Sequence, residues 1–503
     1  MITDWLYALA QATPEKTFLY FADRQITYRQ MADMVSVCAQ RLHAQGIAAG
    51  QNVAMLCGNR PAFLIAWFAV SELGAVAVPL NTGLIGDGLR YTLTQSESTV
   101  LLIEPNLLEE KRESLSLLER ALAVTLIDEV MEQHVSEAPR WSLAKRPELR
   151  DPNSILYTSG TTGLPKGAVL PHGSYVAAGI DMVQSLQMTA NDRILVFLPL
   201  FHANPQMYAV VSTLRAGASI VLLPKFSASH FFDDAIRYGA TGFTYVGTVL
   251  SILEKQVPEA RHDHRLKWCV GGGAPERVWR EVQGRFAVEV RELYGMTETG
   301  GWVSMNVDGA TRFGSVGRAR AQVDLSIRNE QGQPLGVGQK GEIVVSAGTS
   351  QKFFTGYWNN PQATASTLRD GWLYTGDRGW LDEDGYLYFD GRVKELIRRG
   401  GEMIAPTEIE QQLLKHPAVR DCAVVGVADE MMGEEVQALV VCVGVGIDAA
   451  ALRQFLIGKV PDFMLPRYIG FVDAIPKTET QKVKRHELAG LGVKVVDLAA
   501  RQA

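Results

Sequence analysis

The sequence predicts an α/β fold with a large N-terminal domain of parallel α/β sheets, a small β-rich subdomain, and a small α+β C-terminal domain. Apolar runs typical of buried strands alternate with helical stretches over roughly the first 300 residues. Short strands and glycine turns dominate after about residue 310. A basic, glycine-rich segment at residues 391–402 then precedes a tail of roughly 110 residues, which is long enough for a separate domain.

The N-terminal part is predicted from units in which a strand is followed by a helix. The apolar run 53–57 leads into a helical stretch over 61–73, and the run 75–79 precedes a polar stretch over 86–96. Further Val/Ile/Leu runs that read as strands lie at 100–103, 194–198 and 219–223. Strands that are apolar on both faces indicate parallel sheets covered by helices on both sides.

The remaining elements follow the two breaks in composition. Short strands are predicted at 326–328, 341–345 and 385–389. The tail contains, in order, a helix at 406–414, strands at 419–427 and 436–443, and a helix at 449–457. We therefore divide the chain into residues 1–393, with the β-rich subdomain at about 310–393, and residues 394–503.

The composition limits the class of protein. The 503 residues carry a formal net charge of −6, which gives no general attraction to nucleic acid or anionic lipid. The cysteines are odd in number and widely spaced, which argues against a disulfide framework or a zinc site. The N-terminus lacks the basic and apolar regions of a signal peptide, and no apolar stretch is long enough for a transmembrane segment. We therefore expect a cytoplasmic protein.

The most informative segment follows an apolar strand that begins at Ile155. Glycines let backbone N–H groups approach an anion, hydroxyl side chains add donors, and a lysine supplies positive charge. A Ser/Thr/Gly linker is the alternative, but linkers rarely follow a buried strand directly. The segment therefore predicts a triphosphate-binding loop that contains Thr158, Ser159, Gly160, Thr161, Thr162, Gly163 and Lys166.

This loop is not a Walker A element, because Pro165 precedes Lys166 and Gly167 follows it. A P-loop kinase or ATPase is excluded on that ground. The order of hydroxyls, glycines, proline and lysine instead resembles the signature of the adenylate-forming superfamily. That superfamily includes acyl-CoA synthetases, firefly-luciferase-like enzymes and the adenylation domains of peptide synthetases. The resemblance extends over almost the whole chain.

A second segment resembles another signature of this superfamily. It comprises Tyr294, Gly295, Met296, Thr297 and Glu298, which taken alone would read as a helix cap. The resemblance implies that Thr297 reaches the α-phosphate of ATP. It also implies that Glu298, together with Thr158, holds Mg²⁺, a hard cation that takes oxygen ligands.

Three further segments resemble the superfamily's nucleoside site. The glycine-rich turn that approaches the adenine matches Gly272, Gly273, Ala274 and Pro275, although a tight turn is the simpler interpretation. Asp377, after Tyr374, matches the carboxylate that accepts hydrogen bonds from both ribose hydroxyls. Arg392 matches the second ribose contact.

The acyl site is expected near Phe201 and His202, which resemble the aromatic–histidine pair beside the acyl carboxylate in acyl-CoA synthetases. A buried structural histidine is the alternative. Amino-acid-activating domains usually carry Asp after the aromatic residue, so His202 disfavours amino-acid activation. By family position, the acyl pocket contains Phe201, His202, Tyr245, Thr248, Gly271 and Trp302. The bulk of Trp302 and Tyr245 suggests a small to medium acid.

The C-terminal part resembles the family's mobile catalytic domain. Lys482 matches the catalytic lysine, and Gln481 stands where the family usually has a glycine, which is more permissive of positive φ. Lys394 matches the hinge about which that domain rotates. The resemblance also implies that the rotation brings Arg399, Gly400, Gly401 and Glu402 to the tunnel for the thiol of coenzyme A.

We therefore expect an acid–thiol ligase that uses ATP and Mg²⁺ to form an acyl-adenylate and then transfers the acyl group to coenzyme A. The phosphopantetheine of an acyl-carrier protein is the alternative acceptor. A luciferase-like oxygenase is a rarer alternative, and a nucleotide-binding protein without activity is disfavoured because Lys166, Glu298, Asp377 and Lys482 are all present. The identity of the acid and a homodimeric state stay open.

Overall fold

The structure is a computed structural model. It describes residues 1–127, 139–141, 146–158, 164–348, 351–392, 397–404, 406–443, 447–476, 483, 485–488 and 493–498.

The largest sheet is parallel at its centre and antiparallel at both edges. Its central strands continue the buried apolar runs of the N-terminal part, and Val/Ile-rich strands of this kind pack against helices on both faces. Its strands, in spatial order, are Arg318–Ala319, Ser304–Met305, Glu289–Tyr294, Trp268–Gly272, Gly242–Val246, Arg193–Val196, Ser219–Leu222, Thr17–Phe21 and Arg24–Thr27.

A second sheet lies in the same N-terminal part and has the same mixed character. An antiparallel hairpin joins the strands that flank the predicted phosphate loop, with Thr158 opposite Lys166. The strands, in spatial order, are Gly356–Tyr357, Lys166–Pro171, Pro152–Thr158, Val76–Pro79, Asn52–Leu56, Val100–Ile103 and Ala123–Leu126.

Two smaller sheets follow along the chain. The β-rich subdomain consists of antiparallel strands, which are Asp324–Arg328, Gly341–Ser346, Trp372–Leu381, Leu368–Arg369 and Leu387–Arg392. The C-terminal sheet contains the strands Glu402–Ile404, Ile397–Arg399, Gly433–Cys442, Val419–Asp429, Tyr468–Phe471 and Val495–Asp497.

Helices cover these sheets. The α-helices are Ile2–Ala12, Tyr28–Ala44, Pro61–Glu72, Gly86–Gln95, Pro105–Glu110, Arg112–Ser116, His172–Leu186, Val211–Ala216, Phe231–Tyr238, Gly247–Gln256, Glu276–Phe286, Pro361–Thr367, Pro406–Leu413, Ala449–Leu456 and Arg485–Leu488. A π-helical turn spans Pro205–Val210, and short 3₁₀ turns span Thr297–Thr299 and Asp462–Met464. Within the described part of the chain, every helix is too short or too polar to cross a bilayer.

The predicted α/β class is confirmed, and the N-terminal sheets are mixed, because antiparallel strands join the predicted parallel ones. The strands Pro152–Thr158 and Lys166–Pro171 run antiparallel, and so do the strands that follow Tyr294. The reason is short connections, because a hairpin loop joins antiparallel strands whereas parallel strands need a crossover. These antiparallel strands adjoin two of the predicted motifs, which are the phosphate loop and the segment from Tyr294 to Glu298.

Candidate active site

The first part of the site forms around the carboxylate of Glu298, which is buried in the turn Thr297–Thr299. The hydroxyl of Thr158 donates to Glu298 Oε1 at 3.3 Å. Thr158 ends one strand of the hairpin, and Lys166, which faces it across the pair, begins the other. The structure thus brings together residues that lie 140 positions apart in the chain.

Tyr357 completes this cluster and was missed by the sequence analysis. Its hydroxyl donates to Glu298 Oε1 at 2.8 Å, and the Lys166 ammonium lies 5.3 Å from the centre of its ring. Tyr357 belongs to an edge strand that pairs with the Lys166 strand. Tyr357 lies in no recognisable sequence motif. Its position beside Glu298 therefore follows from the strand pairing and not from the sequence around it.

The second part of the site connects Tyr294 to Asp377. The Tyr294 hydroxyl donates to Asp377 Oδ2 at 2.9 Å, and the Asp377 carboxyl is buried. The Tyr294 ring lies against Phe389 with a centroid distance of 5.9 Å. Asp377 faces the backbone of Arg392 across antiparallel strands. Because only four positions separate Tyr294 from Glu298, the carboxylate of Asp377 and that of Glu298 belong to one continuous site.

The glycine-rich turn after strand Trp268–Gly272 is held by a buried carboxylate, that of Glu292. Its Oε1 accepts hydrogen bonds from the backbone N–H groups of Gly273 at 2.5 Å and Ala274 at 3.1 Å. The hydroxyl of Tyr245 bonds to its Oε2 at 2.5 Å. Burial raises the pKa of Glu292 to about 8, although these hydrogen bonds oppose the shift. An acidic residue inside a buried strand was the sequence signal for this role, and it was not used.

Gly271 explains how Tyr245 reaches Glu292. Tyr245, Gly271 and Glu292 face one another across three neighbouring strands. A Cβ atom on Gly271 would lie 2.0 Å from the carbonyl oxygen of Tyr245 and 2.9 Å from its ring. A side chain at position 271 would therefore displace the strand or the ring.

Three of the predicted acyl residues, Phe201, His202 and Trp302, have rings that pack against neighbouring rings. His202 is about two-fifths exposed, with its ring 4.6 Å from that of Phe201. Trp302 is fully buried and meets the Tyr208 ring edge-on at 5.6 Å. The side-chain amide of Asn204 donates to the Tyr245 carbonyl at 3.0 Å, and Thr248 lies in the first turn of the next helix, Gly247–Gln256.

In the C-terminal part, Glu402 and the loop before it lie close to the predicted acyl residues. Glu402 Oε1 lies 3.4 Å from His202 Nε2, and Asn81 Nδ2 lies 3.5 Å from Glu402 Oε2. A Cβ atom on Gly401 would meet the Val246 side chain at 2.9 Å, which shows how closely the loop approaches. Arg399 instead pairs within its own part, with Glu435 at 2.6 Å.

Seven of the predicted site residues lie outside the described residues. They are Ser159, Gly160, Thr161, Thr162, Gly163, Lys394 and Lys482. Their roles stay predictions.

Two family matches account for most of the chain. Residues 6–358 match the AMP-binding enzyme family, and residues 408–482 match the AMP-binding enzyme C-terminal domain.

Characterised relatives match almost end to end. Indoleacetate–CoA ligase from Aromatoleum aromaticum is 36% identical over 515 residues, covering 97% of this chain and 98% of the relative. Sulfoacetate–CoA ligase from Cupriavidus necator is 33% identical over 495 residues, covering 94% of both chains.

Solved structures of o-succinylbenzoate-CoA synthetase from Bacillus subtilis share the fold. The complex with a product analogue has a TM-score of 0.88 at 28% identity, covering 98% of this chain and 99% of the other. The complex of the same synthetase with its acyl-adenylate intermediate has a TM-score of 0.71 at 28% identity, covering 96% and 97%. The chain therefore belongs to the AMP-binding enzyme family and is an AMP-forming acid–thiol ligase of the adenylate-forming superfamily.

Proposed function

We propose that this ligase couples a carboxylic acid to coenzyme A in two steps within one site. The acid first attacks the α-phosphorus of ATP, which gives acyl-AMP and pyrophosphate. The thiol of coenzyme A then attacks the acyl carbon and releases AMP. The observation that supports this best is the convergence of Lys166, Glu298 and Asp377, which Tyr357 and Tyr294 join into one site.

In the adenylation step, the residues of the nucleotide side hold ATP in place. Charge develops on the phosphoryl oxygens as pyrophosphate leaves, so cations and donors fixed in advance lower the barrier. Lys166 and the hydroxyl-rich loop would bind the outer phosphates, and Thr297 the α-phosphate. Asp377 would accept the ribose hydroxyls, and the turn at Gly273 would lie against the adenine.

The residues near Glu298 fit a magnesium ion. Its carboxylate and the Thr158 hydroxyl place oxygen atoms 3.3 Å apart, and Mg²⁺ favours oxygen ligands from one or two carboxylates together with substrate phosphates. Bound there, Mg²⁺ would neutralise phosphate charge. Tyr357, which donates to the same carboxylate oxygen, would fix the orientation of Glu298.

In the thiol step, the C-terminal loop would face the acyl end. The contact between Glu402 and His202 supports this arrangement, as does the higher TM-score to the product-analogue complex than to the acyl-adenylate complex. We propose that adenylation uses the second arrangement, in which Lys482 would contact the carboxylate and ATP. Lys394 would be the hinge between the two arrangements.

The acceptor and the acid are separate questions. An acyl-carrier protein is the alternative acceptor, and a homodimer is compatible with the same site. The relatives are named for indoleacetate and sulfoacetate, acids that differ in size and charge, so membership of the family leaves the acid open.

The test measures both products of the nucleotide. The enzyme is incubated with ATP, Mg²⁺ and a panel of carboxylic acids, with and without coenzyme A, and pyrophosphate, AMP and thioester are quantified. We expect pyrophosphate with the correct acid, and thioester and AMP only when coenzyme A is added. Formation of ADP and phosphate would contradict the proposal. Lys482→Ala should abolish adenylation yet largely spare thiolysis of a supplied acyl-adenylate, whereas equal loss of both would refute the role of Lys482.

A further inference from the structure

A buried guanidinium lies beside the predicted acyl pocket, and the mechanism above does not use it. The side chain of Arg320 is 3% exposed, and its guanidinium lies 4.7 Å from the centre of the Trp302 ring. Its Nη2 donates to the Thr299 carbonyl at 3.2 Å. Its Nε and Nη1 donate to none of the described residues, and the same holds for the Trp302 indole nitrogen.

The charges around Arg320 do not balance within the described part of the chain. Asp181 Oδ2 lies 3.7 Å from Arg320 Nη1, which is beyond hydrogen-bond reach, and 2.8 Å from the buried ammonium of Lys352. Two cations thus share one carboxylate. Burial lowers the pKa of Arg320 to about 10, so the guanidinium stays protonated at neutral pH. A buried cation without an adequate partner is costly, and an anion placed there would offset that cost.

Arg291 shows that this imbalance is not general for buried arginines in the chain. Its side chain is 6% exposed, and two of its nitrogens likewise donate to none of the described residues. However, one guanidinium there faces two carboxylates, Glu289 and Asp308. Arg291 therefore needs no further anion, whereas Arg320 does.

The donors near Arg320 point to one kind of ligand. The indole N–H of Trp302 and two guanidinium nitrogens are hydrogen-bond donors, and none of them can accept. Tyr208, whose ring meets Trp302 edge-on, adds a buried hydroxyl to the same shell. A group made of oxygen acceptors with a negative charge matches this set, and charge-assisted hydrogen bonds to arginine are the strong ones.

We propose that Arg320 is a specificity-determining residue that binds a second anionic group at the far end of the acid. The preferred substrates are then acids that carry another carboxylate or a sulfonate in addition to the carboxylate that is activated. This inference rests on the proposed ligase function, because the first carboxylate must reach the nucleotide side while the second reaches Trp302 and Arg320.

The test compares pairs of acids that differ only in the distal group. Straight-chain dicarboxylic acids of three to eight carbons are each paired with the monocarboxylic acid of the same length, and an aryl diacid with its monoacid. Acid-dependent pyrophosphate release gives kcat/KM for the wild type, Arg320→Met, Arg320→Lys and the control Arg291→Met. We expect the wild type to prefer the dianionic acid of its best pair on the order of 100-fold. Arg320→Met should lose this preference, Arg320→Lys should keep part of it, and Arg291→Met should not change it.

The outcomes separate the two proposals. A wild type that releases pyrophosphate equally with both members of every pair, or an unchanged preference in Arg320→Met, refutes the role of Arg320 and leaves the ligase function intact. A wild type that forms no AMP with any acid refutes the function and this inference with it. If Arg320→Met does not fold, the test becomes the rise in Tm that the diacid and the monoacid each cause in the wild type and in Arg320→Lys. The inference requires a larger rise in Tm for the wild type with the diacid than with the monoacid.

Discussion

The predicted nucleotide side, around Glu298 and Asp377, and the predicted acyl side, around His202 and Trp302, differ in how their polar groups are paired. On the nucleotide side, the carboxylates of Glu298 and Asp377 already hold tyrosine hydroxyls. On the acyl side, Trp302 and Arg320 bury donors, and Asn204 an acceptor oxygen, that have no hydrogen-bond partner among the described residues. From this difference we infer that the protein orients its own groups where the proposed ligand is constant, and leaves groups for the ligand where the proposed ligand varies.

The largest expected effect tests the nucleotide side. Glu298→Gln keeps the shape of the side chain and an acceptor for Tyr357, but it removes the charge that would hold Mg²⁺. We expect adenylation to fall on the order of 10² to 10³-fold, because transition-state charge on the phosphates loses its neutralisation. The loss should be the same for every acid that the enzyme activates, and acid-dependent pyrophosphate release measures it.

Tyr357→Phe is the matched control for this variant. It keeps the ring beside Lys166 and removes only the hydroxyl that donates to Glu298. We expect a smaller loss, of about tenfold, that added Mg²⁺ partly restores, because the carboxylate is less well oriented but still charged. A loss in Glu298→Gln that depended on the acid would break the distinction between the two sides.

The next effect concerns Glu292, which connects the sides through Gly273, Ala274 and Tyr245. Its pKa is raised to about 8 in the fold, whereas an exposed glutamate titrates near 4.3. The contribution of its protonated form to stability is therefore complete below about pH 4 and is lost as the pH rises toward 8. The free energy of unfolding should fall with pH over this range in the wild type, by on the order of 4 kcal/mol.

Glu292→Gln should remove that dependence, because its amide oxygen can accept from Gly273 and Ala274 and has no charge to bury. Urea unfolding from pH 5 to 8 measures the difference between wild type and variant. Glu281→Gln, on the half-exposed side of helix Glu276–Phe286, is the control and should follow the wild type. Parallel curves for the wild type and Glu292→Gln would show that Glu292 stays ionised in the fold.

The same comparison explains what the sequence could predict. Lys166, Glu298 and Asp377 each lie in a short contiguous motif, so the sequence could assign each of them a role on the nucleotide side, and those roles stay predictions. Tyr357 and Arg320 reach the site through strand pairing and through packing on Trp302, and neither relation is visible in the sequence around them.

The fold shows the same division between local and long-range information. The Val/Ile/Leu runs predicted strands to within about three residues, because a buried strand must be apolar on both faces. The direction of pairing depends on how neighbouring strands are connected, so the antiparallel hairpin at Thr158 and Lys166 was missed.

The smallest expected effect tests the one contact in which the C-terminal part meets the acyl side. The pair of Glu402 and His202 is 3.4 Å long and partly exposed to solvent, and pairs of this kind contribute little to stability. Glu402→Gln should therefore leave Tm and adenylation unchanged within about twofold. Transfer from a preformed acyl-adenylate to coenzyme A should slow about three- to tenfold, because His202 loses the charged group that orients it in the arrangement that we propose for the thiol step.

Single-turnover thioester formation measures this effect, and Glu430→Gln is the control. Glu430 pairs with Lys255 at 3.0 Å between the same two parts of the chain, but its side chain is almost fully exposed and lies apart from His202. If both variants slowed the transfer equally, the contact would act only by holding the two parts together. If Glu402→Gln alone slowed it, the C-terminal loop acts on the acyl end itself. The acyl side would then depend on both the substrate and the second domain for groups that the nucleotide side supplies from its own strands.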